Sequence, residues 1–225
     1  METVFLIDVD NTLLDNDAVV SDLGEHLDRV VGSNAAKNYW SIFEQLRSEV
    51  GYADYLGALQ RFRGEYPHEL AILAVSRFLI DYPFARRLYP EALKVISHLS
   101  QWGNTVVLSD GDVVFQPHKV HSSGIGQAVE NRVLIYVHKQ DELADVESRF
   151  PADHYVLVDD KLRILSAVKK IWNARVTTVF VAQGHYAREP HLLETYGKPD
   201  VSVSCIGELL ACRLTFERDG RPALG

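Results

Sequence analysis

The chain has 225 residues, of which 47% are hydrophobic and 24% charged: an ordinary globular composition, long enough for one sizeable domain or a core with a smaller inserted module. Its 23 basic and 31 acidic residues leave a formal net charge of −8, and no dense Lys/Arg run offsets that balance. Nucleic acid and anionic membrane surfaces are therefore poor partners, because both reward basic patches.

The N-terminus reads Met-Glu-Thr and then a short apolar run, Val4 to Ile7, which stops at Asp8. A secretory signal needs a positive start and a longer apolar stretch, and no segment approaches a bilayer-spanning length. The expectation is a first β-strand in a soluble, cytoplasmic protein. Further β-branched runs predict strands at 105–108, 132–137, 155–158 and 176–181, with a short edge strand at 201–206. Their continuous rather than alternating apolarity suits a parallel sheet buried on both faces.

Between the first and second runs, residues 15–88 show no strand pattern. Ser21 is expected to cap a helix carrying Leu23, Leu27, Val30 and Val31, with Gly32 as its stop. Tyr39, Phe43, Leu46 and Val50 form the stripe of a second helix, and Tyr55, Leu56, Leu59 and Phe62 mark a third. Pro67 opens a fourth, with Leu70, Leu73 and Ala74 as its apolar side, and Pro83 ends it. A helix over about 90–102 returns the chain to the sheet. Residues 16–20 and 84–88 are the expected hinges. Cys205 and Cys212 are expected to be buried, reduced thiols sharing a helix face, and the polar tail after Cys212 to be partly disordered. The predicted architecture is an α/β, Rossmann-like three-layer core with a parallel sheet (residues 1–14 and 89–225), interrupted by an all-helical module (15–88).

In open parallel sheets, chemistry gathers at the carboxyl ends of the strands. Here those ends carry Asp8-Val9-Asp10-Asn11-Thr12, Ser109-Asp110-Gly111-Asp112, His138-Lys139 and Asp159-Asp160. A single Asp in such a place is often only a turn or cap residue. Asp8 and Asp10 together are different, because alternation along an extended segment points both to one side. Carboxylates held together cost free energy unless a cation joins them. With Asp159 and Asp160 added, the set is a hard oxygen site of the kind magnesium prefers.

These residues resemble the haloacid dehalogenase superfamily. Asp8-Val9-Asp10-Asn11-Thr12 looks like its first motif, Ser109 matches the second, Lys139 suits the third, and Asp159-Asp160 suits the adjacent-aspartate form of the fourth. The helical insert resembles that family's cap of the first class. The second motif more often continues with Asn-Gly, whereas here Asp110 and Asp112 add negative charge near the expected phosphate site, and Gln140 replaces the usual Pro after the lysine. Lys119 competes for the third-motif role; Lys139 is preferred because it follows a strand, whereas Lys119 is expected on a helix surface.

The resemblance implies a phosphohydrolase working through an aspartyl-phosphate. Asp8 would be the nucleophile and Asp10 the general acid and base, while Thr12 would hold the motif's turn and orient Asp10. Ser109 and Lys139, with Asp110 and Gly111, would bind the phosphoryl oxygens. Mg2+ would be held by Asp8, the Asp10 carbonyl, and Asp160 with Asp159. The implied partner is a small phosphorylated metabolite, and the chain is expected as a monomer or homodimer. A phosphosugar mutase or other phosphotransferase uses the same core and is the alternative. A 2-haloacid dehalogenase would not need Asp10, and a non-catalytic binding protein would have lost Asp8 or Asp10. Tyr52, Asp54, Tyr55 and Arg47 are candidates for reading the leaving group, or else packing residues. Arg86 and Arg87 could attract an anion, His185 could line the crevice rim, and His118 and His121 are expected to be exposed.

Overall fold

The computed structural model describes residues 2–67, 70–211, 214–216 and 222–224. β1 (Thr3–Ile7) is buried along its whole length and runs into α1 (Asn16–Val30), α2 (Ser33–Val50), α3 (Tyr55–Glu65) and α4 (Ala71–Ile80). A 3-10 turn at Phe84–Arg87 and α5 (Ala92–Leu99) lead back to β2 (Asn104–Asp110). There follow α6 (Phe115–Ser122), α7 (Ile125–Ala128), β3 (Val133–Tyr136), α8 (Leu143–Arg149), β4 (His154–Asp159), α9 (Leu162–Trp172), β5 (Val176–Val181), α10 (Leu192–Tyr196) and β6 (Val201–Val203).

Among the described residues, the six strands form one parallel sheet in the order β3-β2-β1-β4-β5-β6. The order reverses between β1 and β4, which opens a crevice at their carboxyl ends. Both faces of the sheet are covered, as the continuous apolar runs require. Val4 and Leu6 of β1 join an apolar cluster with α8 and α9 on one face. Phe5 and Ile7 join the other, which is continuous through α5 and α6 with the interior of α1–α4. The α/β expectation therefore holds in class, strand direction and the position of the helical segment in the chain.

Several local expectations are corrected. α1 starts at Asn16, because the Asp15 carboxylate accepts from the Ala18 N–H at 2.9 Å; Ser21 lies inside the helix and caps nothing. The expected hinge at 16–20 is thus its first helical turns. In α4 the buried residues are Ile72, Val75 and Leu79, whereas Leu70 and Leu73 are 79% and 68% exposed. That helix is apolar at most positions, so its pattern did not single out a face. The strand expected at 201–206 stops at Val203, and a 3-10 turn takes over at Ile206–Leu210. Cys205 is exposed, and Cys212 lies outside the described residues. In the polar tail, β7 (Leu214–Phe216) and β8 (Pro222–Leu224) pair antiparallel. Among the described residues, no helix is long and apolar enough to cross a membrane.

Candidate active site

The first strand's ladder continues past its end: the Asp8 N–H donates to the Val158 carbonyl at 2.9 Å, and so fixes Asp8 beside the end of β4. The chain then turns sharply. Val9 O accepts from the N–H groups of Thr12, Leu13 and Leu14 at 3.3, 2.9 and 2.9 Å, and Asn11 takes a left-handed φ of 60°. Asn tolerates that conformation, and its side chain serves the turn. Asn11 Oδ1 accepts from the N–H groups of Asn16 and Asp17 at 3.1 Å each, while Nδ2 donates to Asp17 at 2.9 Å. From beyond β5, Gln183 Nε2 donates to the Asn11 and Thr12 carbonyls at 3.3 and 3.1 Å. Gln183 carries no chemistry of its own, and nothing in its sequence setting marked it.

One oxygen each from Asp8, Asp159 and Asp160 lie within 4.8 Å of one another, and all three residues are buried. Lys139 reaches this group from the loop after β3. Its Nζ lies 2.5 Å from Asp8 Oδ1 and 2.7 Å from Asp159 Oδ2. Burial works against its charge, yet the carboxylates of Asp159, Asp8 and Asp110 outweigh that and hold the ammonium above its ordinary range. Asp159 is pushed up by burial and by Asp8, with Lys139 opposing. Asp160 is pushed up further: burial dominates, Lys161 opposes it, and Asp159 and Asp8 add to it. Among the described residues neither carboxylate oxygen of Asp160 has a hydrogen-bond partner, although both are inaccessible. Buried acceptors left in that state are costly. A divalent cation taking oxygen ligands from all three carboxylates removes the deficit, so the donor set fits Mg2+.

Thr12 donates to Asp8 Oδ2 at 3.3 Å. It therefore positions Asp8 and not Asp10, which corrects the orientation expected of it. Asp10 stands outside the acid cluster at the edge of a cleft. Lys119 Nζ grips both of its oxygens, at 2.8 and 2.9 Å, and also donates to Asn16 Oδ1 at 3.0 Å. Lys119 is 1% exposed, so its expected place on a helix surface is wrong. α6 turns that residue inward, and two buried lysines, not one, serve the two aspartates of the first motif.

Ser109 ends β2 buried, and its hydroxyl accepts from Gln116 Nε2 at 3.0 Å. The extra acids of this loop are engaged by backbone. Asp110 Oδ1 accepts from the Lys139 N–H at 2.7 Å, and Asp112 Oδ1 accepts from the N–H groups of Val114 and Phe115 at 2.8 and 2.6 Å. The Gly111 N–H donates to the Tyr136 carbonyl at 2.9 Å. A Cβ on Gly111 would stand 2.7 Å from that of Gln116, so the close approach of α6 requires glycine there.

The cleft measures about 340 Å³. Asp10, Asp110, Gly111, Gln116, Lys119 and Lys161 line its sheet side, and Arg47, Tyr52 and Tyr55 come from the helical segment. Asp54 instead caps α3, accepting from the Gly57 N–H at 2.6 Å. Arg87 is tied to Asp22 and Tyr82, away from the cleft. His118 is half-buried and contacts the Ile80 carbonyl at 2.7 Å, whereas His121 is exposed. His185 pairs with Asp17 at 2.6 Å on the rim of an adjoining cavity that Asp10 and Arg47 also line.

A haloacid dehalogenase-like hydrolase from Burkholderia xenovorans LB400 is 56% identical in sequence, with a TM-score of 0.89 over 93% of this chain and 95% of that one. The fold is also similar to that of the HAD-hydrolase YfnB from Bacillus subtilis, solved bound to magnesium, at 18% identity and TM-score 0.62 over 93% and 97% of the two chains. The L-2-haloacid dehalogenase from Xanthobacter autotrophicus gives 18% identity and TM-score 0.60 over the same shares. No family model and no curated protein sequence matches the chain.

Proposed function

Because the chain belongs to the haloacid dehalogenase-like hydrolases, we propose that it is a magnesium-dependent phosphohydrolase acting on a small phosphorylated metabolite through an aspartyl-phosphate. The observation that carries this reading is the meeting of Asp8, Asp159 and Asp160 beside the Lys139 ammonium, with both Asp160 oxygens buried and unpartnered. In this reading residues 15–88 are the cap, residues 1–14 and 89–225 the core, and the enzyme is cytoplasmic.

In the proposed reaction an Asp8 oxygen attacks phosphorus while the bond to the leaving oxygen breaks, which divides one hard displacement into two easier ones. Asp10 hands a proton to the departing oxygen, then takes one from the water that cleaves the acyl phosphate and restores Asp8. Asp10 exchanges part of its grip on Lys119 for these contacts. Asp8, Asp159 and Asp160, with the Asp10 carbonyl, would hold the metal. Once bound, magnesium offsets the repulsion between an anionic nucleophile and an anionic phosphate. Lys139 and Ser109 bind the equatorial oxygens, where charge spreads in transit. Thr12 keeps Asp8 aimed.

Carbon–halogen cleavage is the competing reaction on this fold, and it has no use for the acid that Asp10 supplies. The test measures phosphate release from an aryl phosphate with magnesium and with a chelator, beside halide release from a chloroalkanoic acid. Phosphate release that needs magnesium and is lost in Asp8→Asn is expected. Halide release, or phosphate release indifferent to both changes, overturns the reading.

A further inference from the structure

Cations outnumber carboxylates in the lining of the cleft, four (Arg47, Lys119, Lys161 and Arg163) to three (Asp10, Asp110 and Glu189). Lys139 is engaged by Asp8 and Asp159, and Lys119 by Asp10. Two more cations, Arg47 of α2 and Lys161 at the start of α9, line the same cleft. They converge on one ring: Arg47 Nη2 donates to the Tyr186 hydroxyl at 2.7 Å, and Lys161 Nζ lies 4.8 Å from the Tyr186 centroid. Among the described residues Arg47 has no close buried counter-ion, whereas Lys161 also lies in the field of Asp160, Asp8 and Asp159. The ion pair of Arg47 is a long, exposed contact with Glu44 at 3.6 Å. Tyr55 connects this pair to the reacting end, since its buried hydroxyl lies in the fields of both Asp10 and Arg47.

In a protein of net charge −8, an Arg47 guanidinium held on the cleft wall by a tyrosine hydroxyl instead of a close carboxylate is shaped for an anion there, with Lys161 beside it. The guanidinium fork suits planar or tetrahedral oxyanions. The volume of about 340 Å³ lies at the small end for ligand sites, so the occupant is compact. We infer that Arg47, Lys161 and Tyr186 form a second anion subsite, and that the substrate is a small phosphate ester whose leaving part carries another anionic group, a carboxylate or a phosphate. The inference rests on the phosphohydrolase reading for its first phosphate.

Two matched pairs of esters test it: phosphoserine against phosphoethanolamine for a carboxylate, and propanediol bisphosphate against propanediol monophosphate for a phosphate. Phosphate release is measured for the parent protein, Arg47→Gln and Arg47→Lys. The parent should prefer the anionic member of at least one pair by about tenfold or more in kcat/KM. Arg47→Gln should remove most of that preference, mainly through a higher KM, and Arg47→Lys should restore part of it. Equal turnover of both members by the parent, or a preference that survives Arg47→Gln, overturns the subsite. Calorimetric binding of the same pairs to Asp8→Asn, which cannot turn over, gives a readout independent of chemistry. If no ester is hydrolysed, the phosphohydrolase reading fails, and the binding preference alone still decides whether the subsite exists.

Discussion

Lys139 Nζ stands 2.5 Å from Asp8 Oδ1, although 131 positions separate the two residues in the chain. Both are buried, so this contact works in a medium where an unpaired charge is expensive. Lys139→Ala leaves Asp8 and Asp159 facing each other with no cation and is expected to cost about 3–5 kcal/mol of stability in metal-free protein. Urea denaturation with and without magnesium measures it, and magnesium should return part of the loss. A Lys139→Ala protein as stable as its parent would show that the acids do not rely on the ammonium.

Asp8 and Asp10 differ in what their loss should do. Asp10→Asn keeps the nucleophile and is expected to lower kcat by roughly a hundred- to ten-thousandfold, the span of general acid–base assistance. Asp8→Asn removes the attacking oxygen and should leave no measurable turnover. Steady-state phosphate release compares them; an Asp10→Asn enzyme as active as its parent would remove Asp10 from the chemistry.

Magnesium dependence should appear in stability as well as rate. Burial, joined by Asp159 and Asp8 and opposed by Lys161, holds the Asp160 carboxyl well above its ordinary 3.8. A carboxyl raised in the folded state contributes stability that is fully present below the unfolded value and is lost as pH climbs through the folded one. Metal-free protein should therefore lose Tm from acid toward neutral pH, and magnesium should restore it at the neutral end. Thermal melts of Asp160→Asn should show a smaller pH slope and a smaller magnesium response. A variant that responds to magnesium as strongly as the parent would place the ion elsewhere.

Gly51 ends α2 at φ 86°, and a Cβ added to it would lie 2.6 Å from the His138 ring. Gly51→Val meets both a left-handed backbone and a crowded contact between the helical segment and the loop that carries Lys139. About 1–3 kcal/mol of strain is expected from the backbone conformation. The same change should lower kcat/KM, and Gly51→Val with His138→Ala should recover part of it. Melting curves and kinetics on the single and double variants decide whether the contact matters to both.

Much of this site could be read in advance because its chemistry sits at strand ends, where apolar runs stop at acids. Asp8, Asp159, Asp160, Ser109 and Lys139 all announce themselves in that way. Lys119 and Gln116 do not, since each belongs to the weakly patterned helix α6 and only the packing of that helix turns them inward. Arg47 stands out in the sequence as a candidate, but its meeting with Tyr186, 139 positions away, does not; the two meet only when α2 lies over the loop after β5. Asp110 and Asp112 were legible as charge but not as fasteners, because their partners are backbone N–H groups that sequence does not label.

The central place of β1 has a consequence for how the protein tolerates its own repulsions. The residues bearing the heaviest concentration of negative charge extend from two adjacent strands, each bonded on both flanks: β1 to β2 and β4, and β4 to β1 and β5. Their amides should be among the slowest in the molecule to exchange with deuterated solvent, with or without metal. An emptied enzyme would then wait with its pocket already formed, and recharging it would be simple capture of an ion, with no refolding step.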